Sequence, residues 1–470
     1  MIDNPIFPKP YRIVEVPDRR SIAEDYSDMI KRHYSDYVAT LDKNALARTF
    51  TLQVTTACNL KCTYCYQINK SQNSMSWETA RAAIDQLIDR SYRDDSYINV
   101  HNSSGLIVEF IGGEPLLEIG LIQRATDYLV RKLFEMDHPW KNKTRFSICS
   151  NGLLYFDERV QSYIKKYNNL LSFSISIDGN KRLHDSCRID AEGNGSYDRA
   201  MRAVHHYRDY YGGYIGSKMT LCPQNIEYLY EAVTSLISES YTDINLNCVY
   251  EDGWETKHAA ILYDQLKQLA QYLIGSKKTP IRVSIFEERF FHPKEESDVQ
   301  NWCGGTGSML AYDYKGDAYP CIRYMESSLG ADQIPFSIGS LAHGIGCTDA
   351  EKCRLEFLNR IDRKTQSTKE CFQCPIAEGC AWCSAYNYQV FGTPDRRATF
   401  ICQMHQARAL ANVYYWNLRY LLSANPQDHQ KVFYNYVPDE WSLKIIPQTE
   451  LDTLTQLQRR DLFLKKEELK

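Results

Sequence analysis

The sequence lacks any run of about 18 apolar residues, so no membrane-spanning helix is expected. It also lacks a long run of Lys or Arg. With a formal net charge of −4, the electrostatic footprint of a nucleic-acid binder is missing. The opening MIDNPIFPKPYR has no apolar core of the kind a secretory signal needs, and a cytoplasmic location is expected. In that setting a disulfide framework is not expected. No internal repeat and no low-complexity tract is visible. What remains is ordinary for a globular enzyme: 470 residues, 43% hydrophobic and 24% charged, long enough for two or three domains. Two residue types stand out. Tyrosine, at 34 residues, is read mainly as packing for strands and helices, with some lining a cleft. Cysteine numbers 16, and ten of these fall in clusters of the kind that bind metal or do redox chemistry.

Residues 1–48 form a polar N-terminal extension with one short helix expected from Ser21 to Val38. From Thr49, short β-branched runs alternate with helical patterns, the signature of βα units and a parallel sheet. Six strands are expected, at 50–56, 106–112, 145–151, 171–178, 217–222 and 243–250. The helical pattern 76–92 starts at a candidate N-cap, Ser76, with Glu78 in its first turn. Six units are fewer than the eight of a closed barrel, so an incomplete barrel or an open doubly wound sheet fits. In both, function sits at the C-terminal ends of the strands. The expected division is a barrel over 49–277, a linker over 278–300, a cysteine-rich domain over 301–424 and a tail over 425–470. The third of these ends in a long helix from Ala398 to Leu422.

Cys58, Cys62 and Cys65 follow the first strand with spacing C-x3-C-x2-C. A structural zinc site wants four closed ligands, usually in pairs. Three thiolates on a tight loop suit a cubane iron–sulfur cluster with one iron free to coordinate a small molecule. Here the chain resembles the radical S-adenosylmethionine (SAM) superfamily. The resemblance implies a partial (βα)6 barrel, SAM chelated by the open iron, and a 5′-deoxyadenosyl radical that abstracts hydrogen from an unactivated C–H bond. It also implies SAM contacts at the ends of the next three strands. FIGGEPLL places Gly112, Gly113 and Glu114 toward the SAM amino group, and CSNG places Ser150 and Asn151 at its ribose and carboxylate. SIDGNKRLHDSCR supplies Ser176, Asp178 and Arg188, with Arg188 facing the carboxylate, and Tyr64 takes the family's aromatic position beside the adenine.

A second set follows the pattern C-x12-G-x4-C, then C-x2-C-x5-C-x2-C, then a last cysteine. It comprises Cys303, Cys321, Cys371, Cys374, Cys380, Cys383 and Cys402, with Gly316 as the internal glycine. On spacing alone the two C-x2-C pairs read equally as zinc. The set resembles the SPASM extension of radical SAM enzymes, though its third gap is two residues where three are usual. The resemblance implies two auxiliary [4Fe–4S] clusters, three per chain with the first. Cys371, Cys374, Cys380 and Cys402 would hold the outer one, and Cys303, Cys321 and Cys383 the inner. The inner set is one ligand short. Either an iron is open there, or Cys347 or Cys353 completes it. Cys149, Cys187, Cys222 and Cys248 are read as small buried hydrophobes.

SPASM enzymes mostly modify peptides or proteins. Anaerobic sulfatase maturases carry an Asp base directly after the cysteine matching Cys321, and this chain has Ile322. The first reading is therefore an oxidoreductase of anaerobic type that matures a ribosomally made precursor peptide through a thioether or C–C crosslink. A precursor peptide and a reductant such as flavodoxin or ferredoxin are its expected partners. The stretch before the first strand is short for a winged-helix leader-binding domain, so leader recognition is expected to be partial, absent or on the barrel surface. A second reading is a SPASM oxidoreductase acting on a protein side chain or a cofactor precursor. A third is a zinc-binding or electron-transfer protein without SAM chemistry.

Overall fold

The computed structural model describes residues 47–211, 215–251, 253–276, 281–299 and 303–459. The helix expected over 21–38 lies outside them. All six expected strands form: β1 (Arg48–Thr55), β2 (Leu106–Gly112), β3 (Thr144–Ser150), β4 (Leu171–Ile175), β5 (Ser217–Leu221) and β6 (Asp243–Cys248). Between them run α1 (Trp77–Asp89), α2 (Ile119–Glu135), α3 (Glu158–Tyr167), α4 (Lys181–Cys187), α5 (Tyr197–Tyr211) and α6 (Leu229–Ser238). After β6 comes α7 (Thr256–Gly275). Helix α1 starts as its sequence dictates: Thr79 N–H donates to the Ser76 side chain at 3.0 Å. That bond satisfies one of the amide groups a helix start leaves unpaired. The helix buries Ala80, Ala83, Ile84, Leu87 and Ile88, one stripe at 3.6-residue spacing.

Strands β1 to β4 pair in parallel, in the order β1-β2-β3-β4. Strands β5 and β6 pair in parallel with each other and with a short β7 (Arg282–Val283) in the stretch read as a linker. Among the described residues no ladder joins β4 to β5; the gap is crossed by Thr220 N–H, which donates to Asp178 Oδ1 at 3.2 Å. The cysteine-rich region is woven into the same sheet. Its β8 (Met309–Tyr312) lies parallel against β1, from Thr49 opposite Met309 to Leu52 opposite Tyr312. Strands β9 (Asp317–Tyr319), β10 (Gly339–Ser340) and β11 (Gly344–Ile345) extend that edge antiparallel. Beyond them lie α8 (Asp349–Asn359), α9 (Ser384–Phe391), the long α10 (Cys402–Leu421) and α11 (Gln448–Arg459). Helix α10 lies against α7. Asn412 of α10 donates to the carbonyl of Ile285 at 2.9 Å. Among the described residues no helix is long and apolar enough to cross a membrane.

The two faces of the strands differ in chemistry. Phe50, Leu52, Val54, Val108, Phe110, Phe146 and Ile148 are buried in the hydrophobic core. The alternate positions are polar: Thr51 pairs in register with Glu109, Glu109 with Ser147, and Ser147 with Ser172. One step further along β3, Cys149 pairs with Ser174. Successive strand side chains point to opposite faces. A filled barrel carries bulky branched residues inside. Here the inward face mixes polar residues with Ile107 and Ile111, and Ser147, Cys149, Ser172 and Ser174 keep partial exposure. This inner side, the lumen, is therefore more polar and more exposed than the packed apolar side.

Candidate active site

The first cysteine loop leaves the end of β1 and is held from two sides. Lys61 N–H donates to Ile189 O at 2.7 Å and Thr63 N–H to Cys187 O at 3.0 Å, tying the loop to the chain just past α4. On the other side the β2 end closes onto it. Glu114 N–H donates to Ala57 O at 2.8 Å and Gly113 N–H to Thr55 O at 3.2 Å. A Cβ on Gly113 would stand 2.2 Å from Ala57 O and 2.8 Å from the Cys58 Cβ. Only glycine permits that approach. Burial pushes the thiols of Cys58 and Cys62 up, the latter to about 11. Neighbouring cysteines of the same loop add to it.

Glu114 is fully buried at the end of β2. Its Oε1 accepts from Ser150 at 2.8 Å and from Leu116 N–H at 3.1 Å, and its Oε2 accepts from Asn151 N–H at 2.8 Å. Burial raises its proton affinity, and those three bonds offset part of the rise. The carboxylate thus clamps the β2 end to the β3 end, with acceptor capacity left on Oε2. Asn151 reaches on to the cysteine loop, its Nδ2 donating to Asn59 Oδ1 at 2.7 Å. Ser176 follows β4, and its N–H donates to Ser150 O at 2.9 Å. Asp178 is a buried hub. It receives Arg188 Nε at 2.7 Å and Nη2 at 3.3 Å, the Tyr64 hydroxyl, and Thr220 N–H from β5. The Arg188 guanidinium stands 5.4 Å from the Tyr64 ring centre. Tyr64, Gly112, Gly113, Glu114, Ser150, Asn151, Ser176, Asp178 and Arg188 therefore form one connected shell around the cysteine loop.

The later cysteines gather in two groups. Burial pushes the Cys402 thiol up to about 12, and Cys380, Cys371 and Cys374 push it the same way. Burial likewise raises Cys321, reinforced by Cys303 and Cys383. A Cβ on Gly305 would lie 3.4 Å from Cys321 Sγ and 3.5 Å from Cys303 Sγ, so those two sulfurs converge on a glycine-lined pocket. Ser384 Oγ lies 3.2 Å from Cys303 Sγ. Cys347 is exposed and donates to His343 O at 2.6 Å, and Cys353 is exposed on α8. Among the described residues no three His, Cys, Asp or Glu side chains close around a single metal ion. In a cubane each cysteine binds a different iron, and the donors stand further apart. Ten thiols gathered in sets of three, four and three fit cationic iron clusters as their partners.

Three lumen groups were not singled out by motif. Arg323, two residues past Cys321, donates to Glu251 at 2.5 Å and lies 5.1 Å from the ring centre of Tyr66, which follows Cys65. Cys383 acts on the same guanidinium. Arg323 thus spans the space between the first cysteine loop and the inner cysteine group. Cys149 and Lys218 face each other across the lumen, 3.9 Å apart. The reading of Cys149 and Cys222 as buried is corrected, since both are partly exposed; Cys187 and Cys248 are buried as expected. The signal for Cys149 was the alternation in RFSICS, which places it on the polar side with Ser147.

Residues 52–236 match the model of the Radical SAM superfamily. A serine-type anaerobic sulfatase-maturating enzyme of Bacteroides thetaiotaomicron is 23% identical over 57% of this chain and 67% of its own. The radical SAM cyclopropyl synthase TigE of Paramaledivibacter caminithermalis is 23% identical over 62% of this chain and 61% of its own. In fold, the chain is similar to native anSMEcpe, solved with bound AdoMet and Kp18Cys peptide. The TM-score is 0.54 at 16% identity, covering 80% of this chain and 98% of that one. The cysteine loop, the shell around it and these matches agree: the chain carries a radical SAM domain and has the radical SAM α/β fold.

Proposed function

We propose that this protein is a radical SAM oxidoreductase that matures a ribosomally made precursor peptide by an oxidative thioether or C–C crosslink. The observation that carries the reading is the partly exposed polar inner face of the strands beside the SAM-site shell, with Arg323 set between Tyr66 and Cys383. A peptide segment placed there would lie between the first cysteine loop and the inner cysteine group. When bound, SAM and a reduced cluster on Cys58, Cys62 and Cys65 supply a 5′-deoxyadenosyl radical that takes a hydrogen atom from the substrate. The chain's own residues do the rest. Glu114 holds the cysteine loop and the β3 end in register. Asp178 fixes Arg188 and Tyr64 on the opposite wall. Cys371, Cys374, Cys380 and Cys402 would hold one auxiliary [4Fe–4S] cluster, and Cys303, Cys321 and Cys383 the other. The partners of this reading are the precursor peptide and a flavodoxin- or ferredoxin-type reductant, in the cytoplasm.

A sulfatase-maturase-like reaction on a protein side chain is the second reading, supported by the sulfatase-maturating relative. The apolar side chain of Ile322 favours the first, because it cannot accept the proton that such an oxidation releases. Co-expression with a small peptide encoded beside the gene tests the choice. The peptide is expected to lose two hydrogens per link by mass spectrometry. An unchanged peptide mass, with SAM still cleaved, would remove the crosslinking reading.

A further inference from the structure

Crosslinking by C–H oxidation releases a proton as well as an electron, and the lumen must offer a group to take it. Among the described residues the candidates are few. The carboxylate of Asp178 is taken up by Arg188, Tyr64 and Thr220. That of Glu251 is paired with Arg323. Glu109 accepts from Thr51 Oγ1 at 3.0 Å and also acts on Lys218, so it is the competing acceptor, and Glu109→Gln is the control for the Cys149 variants. Lys218 is a cation. Cys149 is different. It faces the lumen one residue before Ser150, with Lys218 Nζ at 3.9 Å and Ser176 Oγ at 3.5 Å from its sulfur. It belongs to none of the three cysteine groups.

We propose that Cys149 is the catalytic residue that takes the proton released by the substrate, with Lys218 as its positioning counter-ion. This rests on the peptide-maturase reading above. The charged and titratable groups around the sulfur support it. Burial works against a thiolate, but Lys218 on β5, Ser174 and Ser176 at the end of β4 and Arg188 beyond α4 outweigh it and leave the thiol below its ordinary value. Glu109 on β2 and Tyr66 on the cysteine loop face the same space. Lys218 is exposed, and its ammonium is within reach of Cys149.

The substrate carbon, having lost its hydrogen atom to the adenosyl radical, bonds to the substrate thiol sulfur. The S–H proton passes to the Cys149 thiolate, which becomes a thiol. The one surplus electron leaves to an oxidised auxiliary [4Fe–4S] cluster. Cys149 then returns its proton to lumen water and re-pairs with Lys218.

The test uses the cluster-loaded protein and iodoacetamide, with the Cys149-containing peptide followed by mass spectrometry across pH. A thiolate held by Lys218 alkylates with a midpoint below the free-thiol value of about 8.5. In Lys218→Met the midpoint rises, and alkylation at neutral pH slows roughly tenfold. A midpoint at the free-thiol value in both proteins overturns the proposal. The second arm uses Cys149→Ala and Cys149→Ser with the co-expressed peptide. Each is expected to cleave SAM to 5′-deoxyadenosine while the crosslinked fraction drops at least about tenfold, the size of a lost general base. Normal crosslinking in both variants, with the pH profile of the wild type, also overturns it. Loss of SAM cleavage in the wild type would instead remove the underlying reading, so the two failures are distinguishable.

Discussion

Replacing Cys58, Cys62 and Cys65 together with Ala should abolish SAM cleavage while leaving the rest of the molecule folded. The expected iron content falls from about twelve to about eight per chain, one cubane of four lost. The physical ground is the isolation of this loop. Its backbone is pinned chiefly by Ile189 O, Cys187 O and the β2 end, with Leu60 N–H also donating to Cys58 Sγ at 3.4 Å. Alanine therefore removes the donors without removing the loop. The contrasting variant, Cys371→Ala with Cys374→Ala, should still cleave SAM but yield no crosslinked peptide. Anaerobic iron analysis and chromatography of 5′-deoxyadenosine read both outcomes. If the triple variant cleaved SAM at the wild-type rate, the assignment of this loop would fall.

Glu114→Ala should be the most damaging single change outside the cysteines. It leaves the Ser150 hydroxyl and the amides of Leu116 and Asn151 without their acceptor in a site that excludes water. A buried donor left unpaired costs about 1–3 kcal/mol, and the three together cost on the order of 3–5 kcal/mol, since such losses do not add fully. The same substitution releases the β2 end from the β3 end, so SAM affinity should fall by roughly tenfold or more. Glu114→Gln keeps a carbonyl oxygen for two of the bonds and turns an NH2 against the third donor, so it should lose about half as much stability. Thermal unfolding and SAM titration of the cluster-loaded proteins check both. Equal midpoints for wild type and Glu114→Ala would show that the clamp contributes nothing.

Much of the fold was legible because local and global signals agree. The runs FTLQVTT and LIVEFIG are strands in propensity and in place, and Ser76 caps α1 by the bond its position implies. The cysteine spacing suited an iron–sulfur cluster, because ligand geometry is written into short sequence separations, and the resemblance to the radical SAM superfamily supplied the rest. What stayed hidden is long-range. Nothing in YPCIRYME says that Arg323 will reach Tyr66, more than 250 residues away. Nothing in GGEP says that Gly113 will pack on Ala57 O; its glycines suggested an approach to a ligand, and the approach is to the cysteine loop itself. Glu114 was read as a partner for an ammonium group and is also a clamp between two strands. The insertion of β8 beside β1 was invisible for a similar reason: MLAY is short, and its partner is fixed only by the closing of the sheet.

Cys149 shows how a default reading can hide a site. Free cysteines are most often buried small hydrophobes, and Cys187 and Cys248 are. Along β3, however, the polar positions alternate with Phe146 and Ile148, and that period-2 pattern assigns Cys149 to the lumen. Lys218 then meets it from β5, across the break in the ladder that Asp178 spans.

The central claim is that three cysteine groups hold three [4Fe–4S] clusters, the first of which opens an iron to SAM. The most direct measurement is anaerobic reconstitution followed by iron, sulfide and zinc counts and a SAM-cleavage assay on the same sample. The account predicts about twelve irons and about twelve sulfides per chain, with 5′-deoxyadenosine formed on reduction. Stoichiometric zinc, little sulfide and intact SAM would contradict it.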